Sequence, residues 1–290
     1  MHLLYNCFNM NIGIYANETR DINFAVTDKL LSLLKKHSAN CALFENYNHG
    51  GVKLFNLVDL VKFSDVIIVL GGDGTILNVI KECAKGNVPV AGINLGHLGF
   101  LLDYSSNELD KLIDGLFDKS YKVENRALIE VNFNGNNYLA LNDIVIAKGE
   151  NTKLINVNVD VDNKLLDNYF CDGVIVSTAT GSTAYSMSVG GPILAPNVDG
   201  IIINPISSHS LHSRPVVVSD KSTISLECSK LTNDCQLVVD GVLMEKIMNN
   251  HKLNIYKSKF NASFIRMEDS NFYEILLKKL NKWSVTEREE

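Results

Sequence analysis

The sequence predicts an α/β plus all-β protein: an N-terminal Rossmann-like α/β domain, a β-rich domain after it, and a C-terminal helix that returns to the first domain. Three observations predict this. From residue 11 to about 103 short apolar runs alternate with helical patterns, the grammar of parallel βαβ units. Between about 121 and 266 the runs are short, rich in Val, Ile, Tyr and Phe, and separated by turn dipeptides. One further amphipathic stretch, Ser270 to Trp283, closes the chain. The expected division is a domain of residues 1–103, with 267–290 packing back on it, and a β-rich domain of 104–266.

The elements follow in order. Ile12 to Tyr15 and Cys41 to Phe44 are strand-like, and Ile22 to His37 between them carries Val26, Leu30, Leu33 and Leu34 on one helical face. A helical pattern over Leu54 to Phe63 precedes the most apolar run, Val66 to Leu70, which leads into a helix from Thr75 and then a strand over Val88 to Asn94. Ser105 is placed to cap a helix to Phe117 with Leu109, Leu112, Ile113 and Leu116 on one side. In the β-rich half the turn signals are Asn134-Gly135, Asp162-Asn163 and Asp240-Gly241. The terminal helix presents Phe272, Ile275, Leu276 and Leu280, and Glu287 to Glu290 read as a frayed end.

Composition narrows the function. A chain of 290 residues, 46% hydrophobic and 21% charged, buries a sizeable core, which excludes disorder and fibre. Its net charge of −6 argues against a general electrostatic grip on nucleic acid or an anionic membrane. No apolar run approaches the roughly 18 residues of a membrane span. Six cysteines, at 7, 41, 83, 171, 228 and 235, include no C-x-x-C pair and read as reduced thiols in a cytoplasm. Residues 1–9 carry no basic n-region and read as an extension outside the fold.

The sharpest motif is Gly71-Gly72-Asp73-Gly74-Thr75, between a buried-looking strand and a helix. Glycines there let backbone N–H groups approach a phosphate, and the helix start adds partial positive charge. The motif lacks the lysine of a Walker loop and the spacing of a dinucleotide fingerprint. A carboxylate repels phosphates, so Asp73 points to a metal-nucleotide contact or to a general base in phosphoryl transfer; alone, the segment also fits a tight turn with an incidental acid. A second segment, Asp172 to Ser186, holds seven hydroxyl side chains within residues 177 to 186, enough to cap a helix and also to bond a ribose, with Tyr185 able to stack on a base. A third, Asn142-Asp143, breaks an apolar strand pattern, and adjacent strand residues share a pocket only at a bulge or a strand end. His209 and His212 stand three apart without a third ligand between Pro205 and Pro215, so no metal site is assigned.

Together with Gly92 to Phe100 and His209 to Pro215, these segments closely resemble bacterial NAD kinases over residues 11 to 283. The resemblance implies transfer of the terminal phosphate of ATP, or of polyphosphate, to the 2′-hydroxyl of the adenosine ribose of NAD. It implies Asp73 as the proton acceptor and Gly71, Gly72, Gly74 and Thr75 as the nucleotide loop. Asn142 and Asp143 would hold NAD, Asp172 its nicotinamide side, and Thr183, Ala184, Tyr185 and Ser188 the adenosine pocket, with Lys153 as a basic contact. Mg²⁺ would arrive on the nucleotide phosphates. A dimer or tetramer and a cytoplasmic location are also implied. Phe170, where many members carry Arg, and Val242, where Gln or His is frequent, depart from the pattern without touching the loop. Two alternatives compete: a lipid kinase of the diacylglycerol or sphingosine type, which shares G-G-D-G-T, and a non-catalytic dinucleotide sensor, against which an intact Asp73 weighs.

Overall fold

The computed structural model describes residues 10–47, 52–96, 99–102, 104–150, 153–228, 235–247, 251–267 and 271–286. The leader 1–9 and the closing 287–290, both singled out above, lie outside the described residues, as do His97 and Leu98. The chain forms two compact units, one of Met1–Asn125 with Ala262–Glu290 and one of Arg126–Asn261.

In the first unit β1 (Asn11–Ala16), α1 (Ala25–Lys36), β2 (Asn40–Phe44), β3 (Lys53–Phe55), α2 (Leu57–Phe63), β4 (Val66–Gly71), α3 (Asp73–Gly86) and β5 (Val90–Asn94) build a parallel sheet. Its order is β3-β2-β1-β4-β5, the order expected of a Rossmann-like sheet. Every residue of β4 and β5 is buried, which is why both read as unbroken apolar runs rather than alternating ones. The chain winds outward from β1 to β3, then returns to the other side of β1, so the loops leaving β1 and β4 flank the switch point where such sheets take ligands. β6 (Tyr104–Ser105) adds a short parallel pairing to β5.

Three helix boundaries differ from expectation for local reasons. α1 starts at Ala25 rather than Ile22, because Asn23 and Phe24 both take φ 55° and the Asp21 carboxylate instead accepts the Val26 and Thr27 N–H groups at 2.9 Å. Thr27 joins Leu30, Leu33 and Leu34 on the buried face and Val26 is only half-buried. α2 starts at Leu57, after Asn56 accepts the Asp59 N–H at 2.9 Å, and this frees residues 53–55 to pair with β2. Ser105 and Glu108 cap a single turn, Ser106–Glu108, before α4 (Leu109–Asp118), whose expected face of Leu109, Leu112, Ile113 and Leu116 is buried in the core of this unit. That burial draws the domain boundary past 103/104 to 125/126; on the return the boundary is 261/262 rather than 266/267.

The chain enters the second unit within β7 (Tyr121–Phe133) and continues as β8 (Asn136–Ala140), β9 (Asp143–Lys148), β10 (Ile155–Val161), β11 (Lys164–Cys171), β12 (Gly173–Thr178), α5 (Tyr185–Ser188), β13 (Gly200–Ile206), β14 (Val216–Ser219), β15 (Ile224–Cys228), β16 (Cys235–Val239), β17 (Val242–Ile247) and β18 (Lys252–Met267). One antiparallel sheet runs β14-β13-β12-β9-β16-β17, and β11-β10-β15-β18 form a second antiparallel run. Alternate residues of both, such as Ile144 and Ile146, Val157 and Val159, Val174 and Val176, and Leu253 and Ile255, meet in one core. The three expected turns each place two successive residues at positive φ: 52° and 79° at Asn134-Gly135, 51° and 63° at Asp162-Asn163, 47° and 79° at Asp240-Gly241. These are the two-residue hairpin loops that asparagine, aspartate and glycine permit.

The far end of β18 pairs with β5 in the first unit through Phe264 and Val90, and α6 (Phe272–Thr286) follows, with Phe272, Ile275 and Leu276 half-buried. Among the described residues no helix is long and apolar enough to cross a membrane.

Candidate functional site

β4 delivers Gly71 and Gly72 to the start of α3, whose first residues are Asp73, Gly74 and Thr75. Thr75 is buried, and its hydroxyl oxygen accepts the Gly72 N–H at 3.2 Å and the Asn17 amide at 3.1 Å, so Thr75 closes the turn. Gly71 has no room for a side chain against Thr75, whereas a Cβ on Gly74 would meet nothing within 4 Å. The fold therefore requires the first glycine, while the third leaves open space at the amino end of a fourteen-residue helix. From the loop after β1, the Arg20 guanidinium lies against Gly72 and Gly96, 3.2 Å from where a Cβ on Gly72 would stand. Asn17 and Arg20 thus add a donor and a cation to the G-G-D-G-T loop at the switch point of the sheet.

The Asp73 carboxylate ties this loop to its neighbour. Oδ2 accepts the Phe100 N–H at 2.8 Å, Oδ1 accepts the Leu101 N–H at 3.2 Å, and Gly99 packs so closely that a side chain there would overlap the carboxylate. Lys279 on α6 places Nζ 3.7 Å from Oδ2. The Asp73 side chain stays 33% exposed, and a carboxylate offers about four lone-pair sites, so backbone bonding does not exhaust it.

In the second unit Asn142, Asp143, Val145, Ala147, Ala184, Tyr185, Val238, Asp240 and Gly241 line one cavity of about 440 Å³. Asn142 precedes β9 and Asp143 is its first residue, so the pair sits at the strand end that lets adjacent side chains share a pocket. Asp240 holds that strand end in place. Its Oδ1 accepts the Asn142 N–H at 2.8 Å and the Asp143 N–H at 3.2 Å, and its Oδ2 accepts the Leu141 N–H at 3.1 Å. On the other side the Asn142 carbonyl accepts the Thr178 N–H at 2.9 Å and lies where a Cβ on Gly181 would be, which joins the strand end to the hydroxyl-rich turn. Tyr185 leaves that turn 44% exposed, its ring available to a ligand.

A curated NAD kinase of Thermoanaerobacter sp. (strain X514) is 39% identical over 282 residues, covering 93% of this chain and 99% of the relative. This chain belongs to the NAD kinase family. Residues 12–121 match the family described as the ATP-NAD kinase N-terminal domain and residues 141–267 the ATP-NAD kinase C-terminal domain. An NAD kinase of Clostridium botulinum (strain Loch Maree / Type A3) is 36% identical over 275 residues, covering 93% of this chain and 96% of the relative. The crystal structure of an NAD kinase from Archaeoglobus fulgidus in complex with ATP superposes with a TM-score of 0.77 at 28% identity, covering 94% of this chain and 99% of that one. Yeast NADH kinase complexed with NADH shares the fold at a TM-score of 0.85 and 23% identity, covering 94% and 88%.

Of the residues that the resemblance to NAD kinases marks in the second unit, the cavity gathers Asn142, Asp143, Ala184 and Tyr185. Thr183, Ser188, Asp172 and Lys153 are not among its lining. The Thr183 hydroxyl donates to the Thr180 carbonyl at 3.2 Å, Ser188 is exposed on α5, and Lys153 is exposed before β10. Asp172 instead pairs with Lys148, Nζ to Oδ1 2.5 Å, so a cation from β9 stands at Asp172. Phe170 is exposed beside His209, ring centroids 6.3 Å apart, and Val242 is exposed on β17. Most of the hydroxyls are structural: Thr178 donates to the Leu141 carbonyl at 2.6 Å, Ser182 to the Ala179 carbonyl at 2.7 Å, and Ser177 to the Asn142 carbonyl at 3.2 Å. His209 and His212 lie on a loop, and among the described residues no three of His, Cys, Asp or Glu stand together as a metal group would.

Asn17, Arg20, Asp240 and Lys279 escape sequence reasoning. For the first two a signal exists, since loops after the central strands of a βαβ sheet converge. Asp240 reads as a turn residue, and nothing local distinguishes Lys279.

Proposed function

We propose that this chain phosphorylates the 2′-hydroxyl of the adenosine ribose of NAD with ATP to give NADP. The observation that carries the reading is the convergence of Asn142-Asp143 and Ala184-Tyr185, from segments distant in the chain, on one cavity with an acid, an amide and an exposed ring. Those are the groups that bond ribose hydroxyls and stack on a base. Family membership and the open Gly74 at the start of α3 support the donor half of the reaction.

The residues divide the work. The N–H groups at the start of α3, with Arg20 beside Gly72, hold the donor phosphates and offset their charge. Asp73 takes the 2′-hydroxyl proton as that oxygen bonds to the terminal phosphorus, the bond from phosphorus to the ADP oxygen breaks, and ADP leaves. Asn142 and Asp143, fixed by Asp240, bind the acceptor ribose, and Tyr185 carries the base. Lys148 paired with Asp172 supplies the cation that Phe170 does not, at the nicotinamide side.

A resident divalent ion does not fit the described donor set, because Asp73 faces two N–H donors and an ammonium. Mg²⁺ belongs with the nucleotide, as part of the metal–ATP substrate. A cytoplasmic location goes with this reading, and the described cysteines are free, as expected of a reducing compartment.

The test mixes purified protein with ATP, Mg²⁺ and NAD and follows NADP. Formation of NADP by wild type, with turnover lowered roughly 10²- to 10⁴-fold in Asp73→Asn and NAD affinity little changed, is the expected result. No NADP from wild type would leave a sensor or a lipid kinase on the same scaffold, and a sphingosine or diacylglycerol acceptor separates those two.

A further inference from the structure

The C-terminal helix contributes a charge to the donor loop. Lys279 is the one residue of α6 with a described ion pair to the G-G-D-G-T segment, and its side chain is only 15% exposed. Its ammonium sits 3.6 Å from the centroid of the Phe100 ring and 3.7 Å from Asp73 Oδ2. Phe100 therefore serves both partners: its backbone N–H donates to Asp73 at 2.8 Å and its ring carries the cation.

We propose that Lys279 is a positioning residue for phosphoryl transfer, holding the Asp73 carboxylate aimed, and that α6 is in this way part of the catalytic apparatus; this rests on the reading of Asp73 as the proton acceptor. Two observations support it beyond proximity. The first is the spacing: at 3.7 Å the ammonium supplies charge without occupying the lone pair that must receive the proton. The ring fixes it at that distance. The second is the cost of the arrangement. Burial lowers the Lys279 pKa and the Asp73 carboxylate offsets only part of that, so the ammonium gains from an anion at this spot. A surface lysine needs no such partner; its neighbour Lys278, exposed and 4.0 Å from Glu274, is an ordinary helix-surface pair.

The physical role follows from the sequence of charges. As Asp73 takes the proton it loses its negative charge, while the transferring phosphoryl group carries charge next to it. A fixed ammonium keeps a counter-charge available throughout, without the reorganisation that water would need.

The experiment measures steady-state kinetics of wild type, Lys279→Met, Lys279→Arg, Lys278→Ala, Asp73→Asn and the Asp73→Asn/Lys279→Met double variant. Met keeps the stem over Phe100 and removes the charge. The expected result is kcat lowered about ten- to hundredfold in Lys279→Met, the scale of a misplaced reacting group, with KM for NAD and ATP within about twofold. Arg restores most of kcat, Lys278→Ala matches wild type, and in the Asp73→Asn background Lys279→Met has no further effect. Additive losses in the double variant, or full kcat in Lys279→Met, overturn the proposal. Should Lys279→Met fail to fold, Phe100→Leu, which removes the ring and keeps the N–H, is expected to lower kcat with KM unchanged, and full kcat there overturns the proposal equally. Failure of the underlying reading looks different: Asp73→Asn itself keeps its turnover, or wild type makes no NADP.

Discussion

Asp240→Asn perturbs the acceptor cavity through the backbone that holds Asn142 and Asp143, at a residue given no part in the proton or phosphoryl transfer itself. The carboxylate is 9% exposed and accepts three successive backbone N–H groups, two on Oδ1 at 2.8 and 3.2 Å and one on Oδ2 at 3.1 Å. Asparagine keeps one oxygen. Its best orientation puts that oxygen at Oδ1 and turns the amide NH₂ toward the Leu141 N–H, so one charge-assisted bond is lost and one buried donor is stranded. A hydrogen bond to a charged group counts for about 1.5–3 kcal/mol and a stranded donor costs about 1–3 kcal/mol, overlapping quantities that together give about 2–3 kcal/mol. For a domain of this size that lowers the melting temperature by roughly 6–12 °C. Because the three N–H groups belong to Leu141, Asn142 and Asp143, the same change loosens the cavity wall and raises KM for NAD. Circular-dichroism melting and an NAD titration measure both. A variant that melts within about 1 °C of wild type with unchanged KM would show that the carboxylate does not hold the strand end.

The remaining predictions are narrower. Asn142→Ala raises the NAD KM or lowers turnover with the fold intact; unchanged kinetics for both Asn142→Ala and Asp143→Asn return the pair to a structural role. The chain self-associates to a dimer or tetramer, since the sheet ending in β14 and β17 exposes Val217, Val242 and Leu243; a monomeric mass by light scattering at micromolar concentration with full activity contradicts this. The Asp162 pKa is lowered by the Thr223 N–H and then by the Ser222 hydroxyl, so its stabilisation is present above the ordinary value of 3.8 and is lost as pH falls through the lowered one. The melting deficit of Asp162→Asn at neutral pH should therefore shrink as the pH falls below 3.8, and a deficit constant with pH rejects the linkage.

The parts of the molecule legible in the sequence are those set by local periodicity. The parallel strands, the α4 face and the three hairpin turns depend on which residues neighbour each other in the chain, and they stand where Val66 to Leu70, Leu109 to Leu116 and the Asn-Gly, Asp-Asn and Asp-Gly pairs place them. Helix starts were less legible, since α1 begins where Asp21 and two left-handed residues allow, and neither is visible in an apolar pattern. In the candidate site the same division holds. Asn142 and Tyr185 stand out because they interrupt local patterns, whereas Asp240 acts across about a hundred residues of sequence and Lys279 across about two hundred, and only the folded chain brings them near. The hydroxyl density in residues 177 to 186 has a structural use that the sequence pattern does not display, because a tight buried turn bonds its hydroxyls to nearby carbonyls.

Among the described residues three carboxylates each tie two or more backbone N–H groups, and the difference among them bears on chemistry. Asp21 ties the Val26 and Thr27 N–H groups, Asp240 ties those of residues 141–143, and Asp73 ties those of Phe100 and Leu101. A carboxylate that only holds backbone is best surrounded by its donors and closed to water, and Asp21 and Asp240 are buried accordingly. Asp73 has the same donors and the added ammonium of Lys279, yet a third of its side chain stays open, beside a glycine that the fold leaves free. Holding explains the donors; it does not explain the opening. The two tasks separate on substitution by asparagine: Asp240→Asn should lose stability chiefly and turnover only through KM, while Asp73→Asn, which keeps one acceptor for the loop but no proton acceptor, should lose turnover by roughly 10²- to 10⁴-fold with a melting temperature far less affected. If both variants lost stability in the same proportion as activity, Asp73 would be a third structural clamp, and the proton would have to leave by another route.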